Sequence, residues 1–156
     1  CQQGHEIQGL GEQAVCVEQM TAKACRKELQ KIRETIGTVT EEPGVFFRIP
    51  GGEYNNEVLR TIYACGSYPV AWSVDSMDWK EYEAGELVRQ LLQSCTIRDG
   101  EILRFHGEGE NTGEMVKLLH PRLKEEGYEA VTVSQMVYKD RYRMTTEGRQ
   151  IPEKSK

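Results

Sequence analysis

Amphipathic helical stripes alternate with short apolar runs along this chain, and that order constrains its fold more than any other feature. Cys25, Leu29, Ile32 and Ile36 recur at intervals of four, three and four. The spacing predicts a helix over Thr21–Ile36, with Gly37 where a helix stops. Val45-Phe46-Phe47 follows Pro43-Gly44 and suits a buried strand. Asn55 or Asn56 caps a second helix through Val58, Leu59 and Ile62. Val70, Trp72 and Val74 alternate as a strand does. Leu87, Val88, Leu91, Leu92 and Cys95 form another helical stripe, and Ile102, Leu103 and Phe105 another strand. Met115, Leu118, Leu119 and Leu123 predict a helix ended by Gly127, with Pro121 inside it as a kink or a new turn. Ala130, Val131 and Val133 close the series as a strand. The polar stretch from Lys139 has no period and reads as irregular.

Helix and strand in alternation imply parallel strands with helices packed outside, hence an α/β sheet or (β/α) barrel. In such folds functional side chains gather at the C-terminal ends of the strands. That rule selects Arg48, Asp75, Asp78 and His106. They make a coherent set. A histidine moves protons near neutral pH. A carboxylate beside it fixes the ring and supports the imidazolium. An arginine holds a second carboxylate or a developing oxyanion.

The net charge of −5 and the lack of a basic stripe argue against a nucleic-acid binder, since Lys139, Arg141 and Arg143 make only a short solvated stretch. No apolar run is long enough to span a bilayer, and no signal peptide is visible. The five cysteines, Cys1, Cys16, Cys25, Cys65 and Cys95, include no CxxC pair, so a zinc knuckle is a poor reading. Cys25 and Cys95 fall on helix stripes and read as core residues. Cys1 is either the lipid-bearing first residue of a processed lipoprotein or simply where the sequence starts.

Local wording narrows the class. Arg48-Ile49-Pro50-Gly51-Gly52 resembles the RxPxG motif of the polysaccharide deacetylases, carbohydrate esterase family 4. Asp75-Ser76-Met77-Asp78-Trp79 resembles that family's DxxDW motif, and the strand ending at His106 resembles its Leu-x-His motif. Gly127 to Ser134 resembles the closing strand, and Gly4-His5-Glu6-Ile7 the strand leading into the histidine motif. The resemblance covers residues 1–138 as one deacetylase-like domain, leaving 139–156 as a polar tail.

The resemblance implies a distorted, incomplete (β/α) barrel that removes acetyl groups from glycans such as peptidoglycan or chitin-type oligosaccharides. In the family a divalent metal, usually zinc, polarises the carbonyl and activates water. Carried over, His106 is the general acid, Asp78 and Asp75 belong to its network, and Arg48 holds the base carboxylate. Trp79, Tyr54, Pro50 and Arg104 line the substrate groove. The implied partner is an acetylated glycan, and the implied location extracellular or in the cell envelope.

Three departures stand against full activity. Cys1-Gln2-Gln3 corresponds to the end of the family's first helix, so its first strand, with an Asp-Asp pair, is expected to be lacking. The two metal histidines fall at Leu10 and Ala14, which carry no donor atom, so no metal is expected on this chain. His5, Glu6, Glu12 and Gln13 do not match the ligand spacing. Arg104 replaces the leucine that helps form the acetyl pocket. The alternative to hydrolysis is therefore an inactive relative that binds a glycan or a protein. The strand left at the sheet edge is expected to be covered by a second copy of the chain or by a swapped segment.

Overall fold

Thr21 and Asn55 start the first two helices by the same chemistry. In the computed structural model, which describes residues 3–11, 21–40, 44–107 and 109–153, Thr21 Oγ1 accepts the Ala24 N–H at 3.3 Å and opens α1 (Ala22–Gly37). Asn55 Oδ1 accepts the Val58 N–H at 2.8 Å and opens α2 (Asn56–Ala64). By its internal contacts the chain divides into two compact units. The first is Cys1–Asp75 with Ile102–Arg104, and the second is Ser76–Glu101 with Phe105–Lys156.

In the first unit β1 (Gly9–Leu10), β2 (Phe46–Arg48) and β3 (Tyr68–Val70) form a parallel sheet in the order β1-β2-β3. Side chains of α1, α2 and β2 make its core: Cys25 and Leu29 from α1, Val58 and Ile62 from α2, Phe47 from β2, and Ile49 just after it. Burying each of the larger ones stabilises the fold by roughly 1.5–3 kcal/mol. A separate parallel pair joins β4 (Val74–Asp75) to β5 (Leu103–Arg104). A single 3-10 turn, Pro50–Gly52, leads from β2 toward α2, with Gly51 and Gly52 at φ +69° and +81°.

The second unit packs α3 (Ala84–Ser94) on α4 (Thr112–Glu125) through Leu87, Val88, Leu91, Met115 and Leu119. Helix α4 runs through Pro121 and ends in a Schellman turn. There the Tyr128 N–H reaches the Leu123 carbonyl at 2.9 Å, and Gly127 takes φ +91°. A one-turn α5 (Val133–Met136) and the antiparallel hairpin β6 (Tyr142–Met144) and β7 (Gln150–Pro152) follow.

Six local expectations need correction. The strand expected at Gly4–Ile7 is β1, at Gly9–Leu10. The Gln8 side chain accepts the Phe46 N–H at 2.9 Å, so an amide side chain takes a donor that a longer ladder would use. Val70, Trp72 and Val74 are not one strand. The chain leaves β2 after Val70 and turns to a new partner, and the Ser73 and Val74 N–H groups both reach the Ile102 carbonyl. The next strand is confined to Leu103–Arg104, because the Ile102 N–H is held by Ser73 Oγ at 3.0 Å. Ala130–Val133 is not a strand either. Thr132 and Gln135 form a capping box that starts a helix at Val133. The stretch from Lys139 forms the β6–β7 hairpin, turned at Gly148 with φ +81°, and its Arg149 pairs with the distant Glu101 at 2.7 Å. Cys25 is buried as expected, whereas Cys95 is half-buried and caps the end of α3. Cys1, Glu12, Gln13, Ala14 and Cys16 lie outside the described residues.

Candidate functional site

Asp78 sits just beyond β4 and is almost wholly buried, at 1% exposure. A buried carboxylate must be surrounded by donors. Ser76 Oγ donates to Oδ1 at 2.9 Å. The His106 backbone N–H reaches both carboxylate oxygens at 3.0 Å. Thr112 Oγ1, on the first residue of α4, donates to Oδ2. The His106 ring completes the set, with Nδ1 at 2.7 Å from Oδ1. Burial raises the carboxyl pKa, but the hydrogen bonds from Thr112, His106 and Ser76 outweigh it and hold the group below the ordinary aspartate range. Asp78 is therefore an anion at neutral pH.

That charge fixes the imidazole. An ionised carboxylate only accepts, so Nδ1 carries the proton and Nε2 is the basic ring atom. Trp79 stands edge-on to the ring, with centroids 6.4 Å apart, and is itself 57% exposed. Lys80 Nζ lies 5.9 Å from the indole. Two residues hold this geometry from the backbone side. Met77 adopts φ 55°, an unusual conformation for a side chain of its size, between Ser76 and Asp78. Gly109 packs so close that a Cβ there would meet Thr112 Oγ1 at 2.7 Å and Asp78 Oδ2 at 2.8 Å.

The first unit holds a different cluster. The Arg104 guanidinium lies 3.9 Å from the centroid of Trp72, and that of Arg48 lies 5.7 Å from it. Arg104 also pairs with Asp75 at 3.2 Å. Gly52 makes room for the indole, since a Cβ at that position would come within 2.9 Å of Trp72. Burial and the nearby charge of Arg104 lower the Arg48 pKa, and Asp75 only partly offsets them.

Of the residues singled out in the sequence, Asp78 thus meets His106, whereas Asp75 meets Arg104 and Arg48 meets the Trp72 ring. Pro50 opens the 3-10 turn, and Tyr54 is 49% exposed ahead of α2. Ser76, Gly109 and Thr112 escaped the sequence reading. Ser76 lies inside the DxxDW stretch, where a search for donors near Asp78 would have found it, whereas Thr112 is 34 residues further along and carries no such signal.

Residues 1–70 match the family profile described as polysaccharide deacetylase. A peptidoglycan-N-acetylglucosamine deacetylase of Listeria monocytogenes is 29% identical over 138 residues, covering 86% of this chain. The chain resembles the polysaccharide deacetylases over that stretch and beyond it. It spans only 28% of that Listeria protein. A peptidoglycan-N-acetylglucosamine deacetylase of Bacillus cereus is 32% identical over 102 residues, 62% of this chain and 46% of that one. Among solved structures, a carbohydrate esterase family 4 pseudoenzyme from Bacillus anthracis aligns with a TM-score of 0.68 at 25% identity, over 76% of this chain and 41% of that one. The structure of a peptidoglycan N-acetylglucosamine deacetylase aligns with a TM-score of 0.77 at 22% identity, over 86% of this chain and 64% of its own, a likeness of fold. The fold is thus the family's α/β arrangement with parallel strands.

The divalent metal that the family implies needs a converging set of donors. Among the described residues no group of three or more His, Cys, Asp or Glu side chains is placed to hold one. Leu10, at one of the histidine positions, offers only hydrocarbon and is 46% exposed. These side chains do not fit the metal. Also among the described residues, no helix is long and apolar enough to cross a membrane.

Proposed function

We propose that this chain carries the acid–base half of a glycan N-deacetylase site, with an acetylated cell-wall glycan as its ligand. The observation that supports it is the buried Asp78 carboxylate on His106 Nδ1. In deacetylation the amide C–N bond breaks and the nitrogen leaves as an amine, which requires a proton. His106 Nε2, once protonated, supplies that proton, and the Asp78 anion stabilises the imidazolium beforehand. Trp79, exposed beside the imidazole, offers an aromatic face for the apolar face of a sugar ring, and Arg48 a guanidinium for a carboxylate. Tyr54 and Pro50 belong to the same reading as groove residues. Residues 1–138 form the deacetylase-like region in this reading. Its location is the cell envelope or outside the cell, where relatives named for peptidoglycan deacetylation find their substrate. Two copies pairing along β1 would cover that edge of the sheet, and light scattering on the purified chain tests it.

A second reading is favoured by Leu10 and Arg104: the chain binds the glycan without hydrolysing it. The similar Bacillus anthracis protein is called a pseudoenzyme, and a mutant of it, 26% identical to this chain, is described as having restored enzymatic activity. One experiment separates the readings. Acetate release from N-acetylated chito-oligosaccharides or peptidoglycan is measured with zinc added. Release that depends on His106 supports the first. Saturable glycan binding with no release supports the second.

A further inference from the structure

Asp78 presents two oxygens, and its donors divide between them. Oδ1 takes Ser76 Oγ at 2.9 Å and His106 Nδ1 at 2.7 Å, whereas Oδ2 takes Thr112 Oγ1. The His106 backbone N–H lies 3.0 Å from each oxygen, so it anchors the carboxylate without choosing its rotation. That choice falls to the side-chain donors. Ser76 and the imidazole draw on one oxygen, and Thr112 holds the other against their pull. Burial raises the Asp78 pKa, and the Thr112 hydrogen bond is foremost among those that lower it. The hydroxyl itself is firmly placed. Thr112 opens α4, which the buried Met115 and Leu119 fix against α3. Two successive turns lead into that helix: the Gly109 N–H bonds to the His106 carbonyl at 3.1 Å, and the Thr112 N–H to the Gly109 carbonyl at 3.2 Å. One residue earlier, the Asn111 side-chain amide donates to the Tyr82 carbonyl at 2.9 Å. Supporting groups held on rigid elements set how well a reacting group is oriented.

We infer that Thr112 is a positioning residue, whose hydroxyl holds the Asp78 carboxylate at the rotation in which Oδ1 meets His106 Nδ1. Its consequence for a rate rests on the acid–base reading above, but its control of the imidazole does not. Without the hydroxyl, Oδ2 keeps, among the described residues, the shared backbone N–H alone. The carboxylate then turns toward its remaining donors. The ring loses part of the acceptor that keeps its proton on Nδ1, and the proton is free to sit on Nε2 instead. A neutral ring protonated on Nε2 has no lone pair there to pick up a further proton and pass it on.

The test compares Thr112→Val, which keeps the branched shape and removes the hydroxyl, with Thr112→Ser, which keeps the hydroxyl. The readout is the tautomer of His106, taken from its ring-nitrogen NMR shifts in labelled protein while the ring is neutral. The wild-type chain is expected to carry the proton on Nδ1. In Thr112→Val the ratio of the Nδ1–H to the Nε2–H form should fall by about tenfold, and Thr112→Ser should bring it back to within about threefold of wild type. Thr112→Ala also removes the hydroxyl and suits a helix, so it should match the valine variant and replaces it if that one misfolds, with circular dichroism as the check. A ratio unchanged in the valine and alanine variants overturns the proposal. So does a serine variant that behaves like them, or a wild-type ring protonated on Nε2. Acetate release is read separately. Where it occurs, kcat should fall about tenfold or more in Thr112→Val with KM within about twofold, and recover in Thr112→Ser. A wild-type chain that releases no acetate counts against the acid–base reading and leaves the tautomer result standing, so the two failures are told apart.

Discussion

The two units hold their charged groups in opposite ways. In the second, the buried Asp78 anion is saturated: Ser76, Thr112, the His106 backbone and the His106 ring all donate to it. In the first, two guanidiniums lie against one indole, and that of Arg104 pairs with Asp75. The saturated anion fixes geometry, because moving any donor exposes a charge that burial penalises. The cationic cluster fixes little by itself, since stacking and a partly exposed ion pair are each weak. One arrangement is built to orient a proton, the other stacks cations on an aromatic face.

Removing the acid should show the largest effect. If the chain releases acetate, His106→Ala lowers the rate by about 10²–10⁴-fold, measured on chito-oligosaccharides. A drop of less than tenfold would break the first half of the contrast. Next comes stability. Asp78→Ala strands several donors in a buried place and should cost about 3 kcal/mol in chemical denaturation. Arg104→Leu in the other unit should cost less than about 1 kcal/mol. Equal losses at the two positions would erase the distinction drawn between them. Gly109→Ala should destabilise by roughly 1–3 kcal/mol, because its Cβ has to displace Thr112 or the Asp78 carboxylate.

The smallest effect is in pH. Asp78 has a lowered folded pKa, so the stability it adds is complete above the ordinary aspartate range. It declines as the pH falls from that range into the folded value, and levels off below it. Asp78→Asn should flatten that part of the acid limb in thermal melts taken at stepped pH. An unchanged limb would mean that the donors around Asp78 contribute little.

Helical periodicity was legible because it repeats over many residues: Cys25, Leu29 and Ile36 on α1 and Leu87, Val88 and Leu91 on α3 are all buried. Strands of two or three residues carry no such repeat. Where a side chain intervened in the ladder, as Gln8 and Ser73 do, an apolar run could not reveal it. The closing run failed for a related reason. Ala130, Val131 and Val133 look like a strand, but the pairing of Thr132 with Gln135 is polar and three residues apart, and it decides for a helix. At the candidate site, the residues that bear charge were visible as letters. The residues that hold them were not, because a hydroxyl such as Thr112 or an absent side chain such as Gly109 gains its meaning only from what folds against it.

Thr112 has one hydroxyl proton and two acceptors within reach, Asp78 Oδ2 and the His106 carbonyl, the latter at 3.0 Å. It is also the first residue of α4. The helix is thereby a lever on the imidazole. A tilt that swung the hydroxyl from the carboxylate to the carbonyl would remove one of the donors that hold the Asp78 carboxyl below its ordinary range, with neither residue displaced. How firmly that carboxylate keeps its charge is then a mechanical property, set by the seating of a helix whose far end carries Arg122 and Lys124.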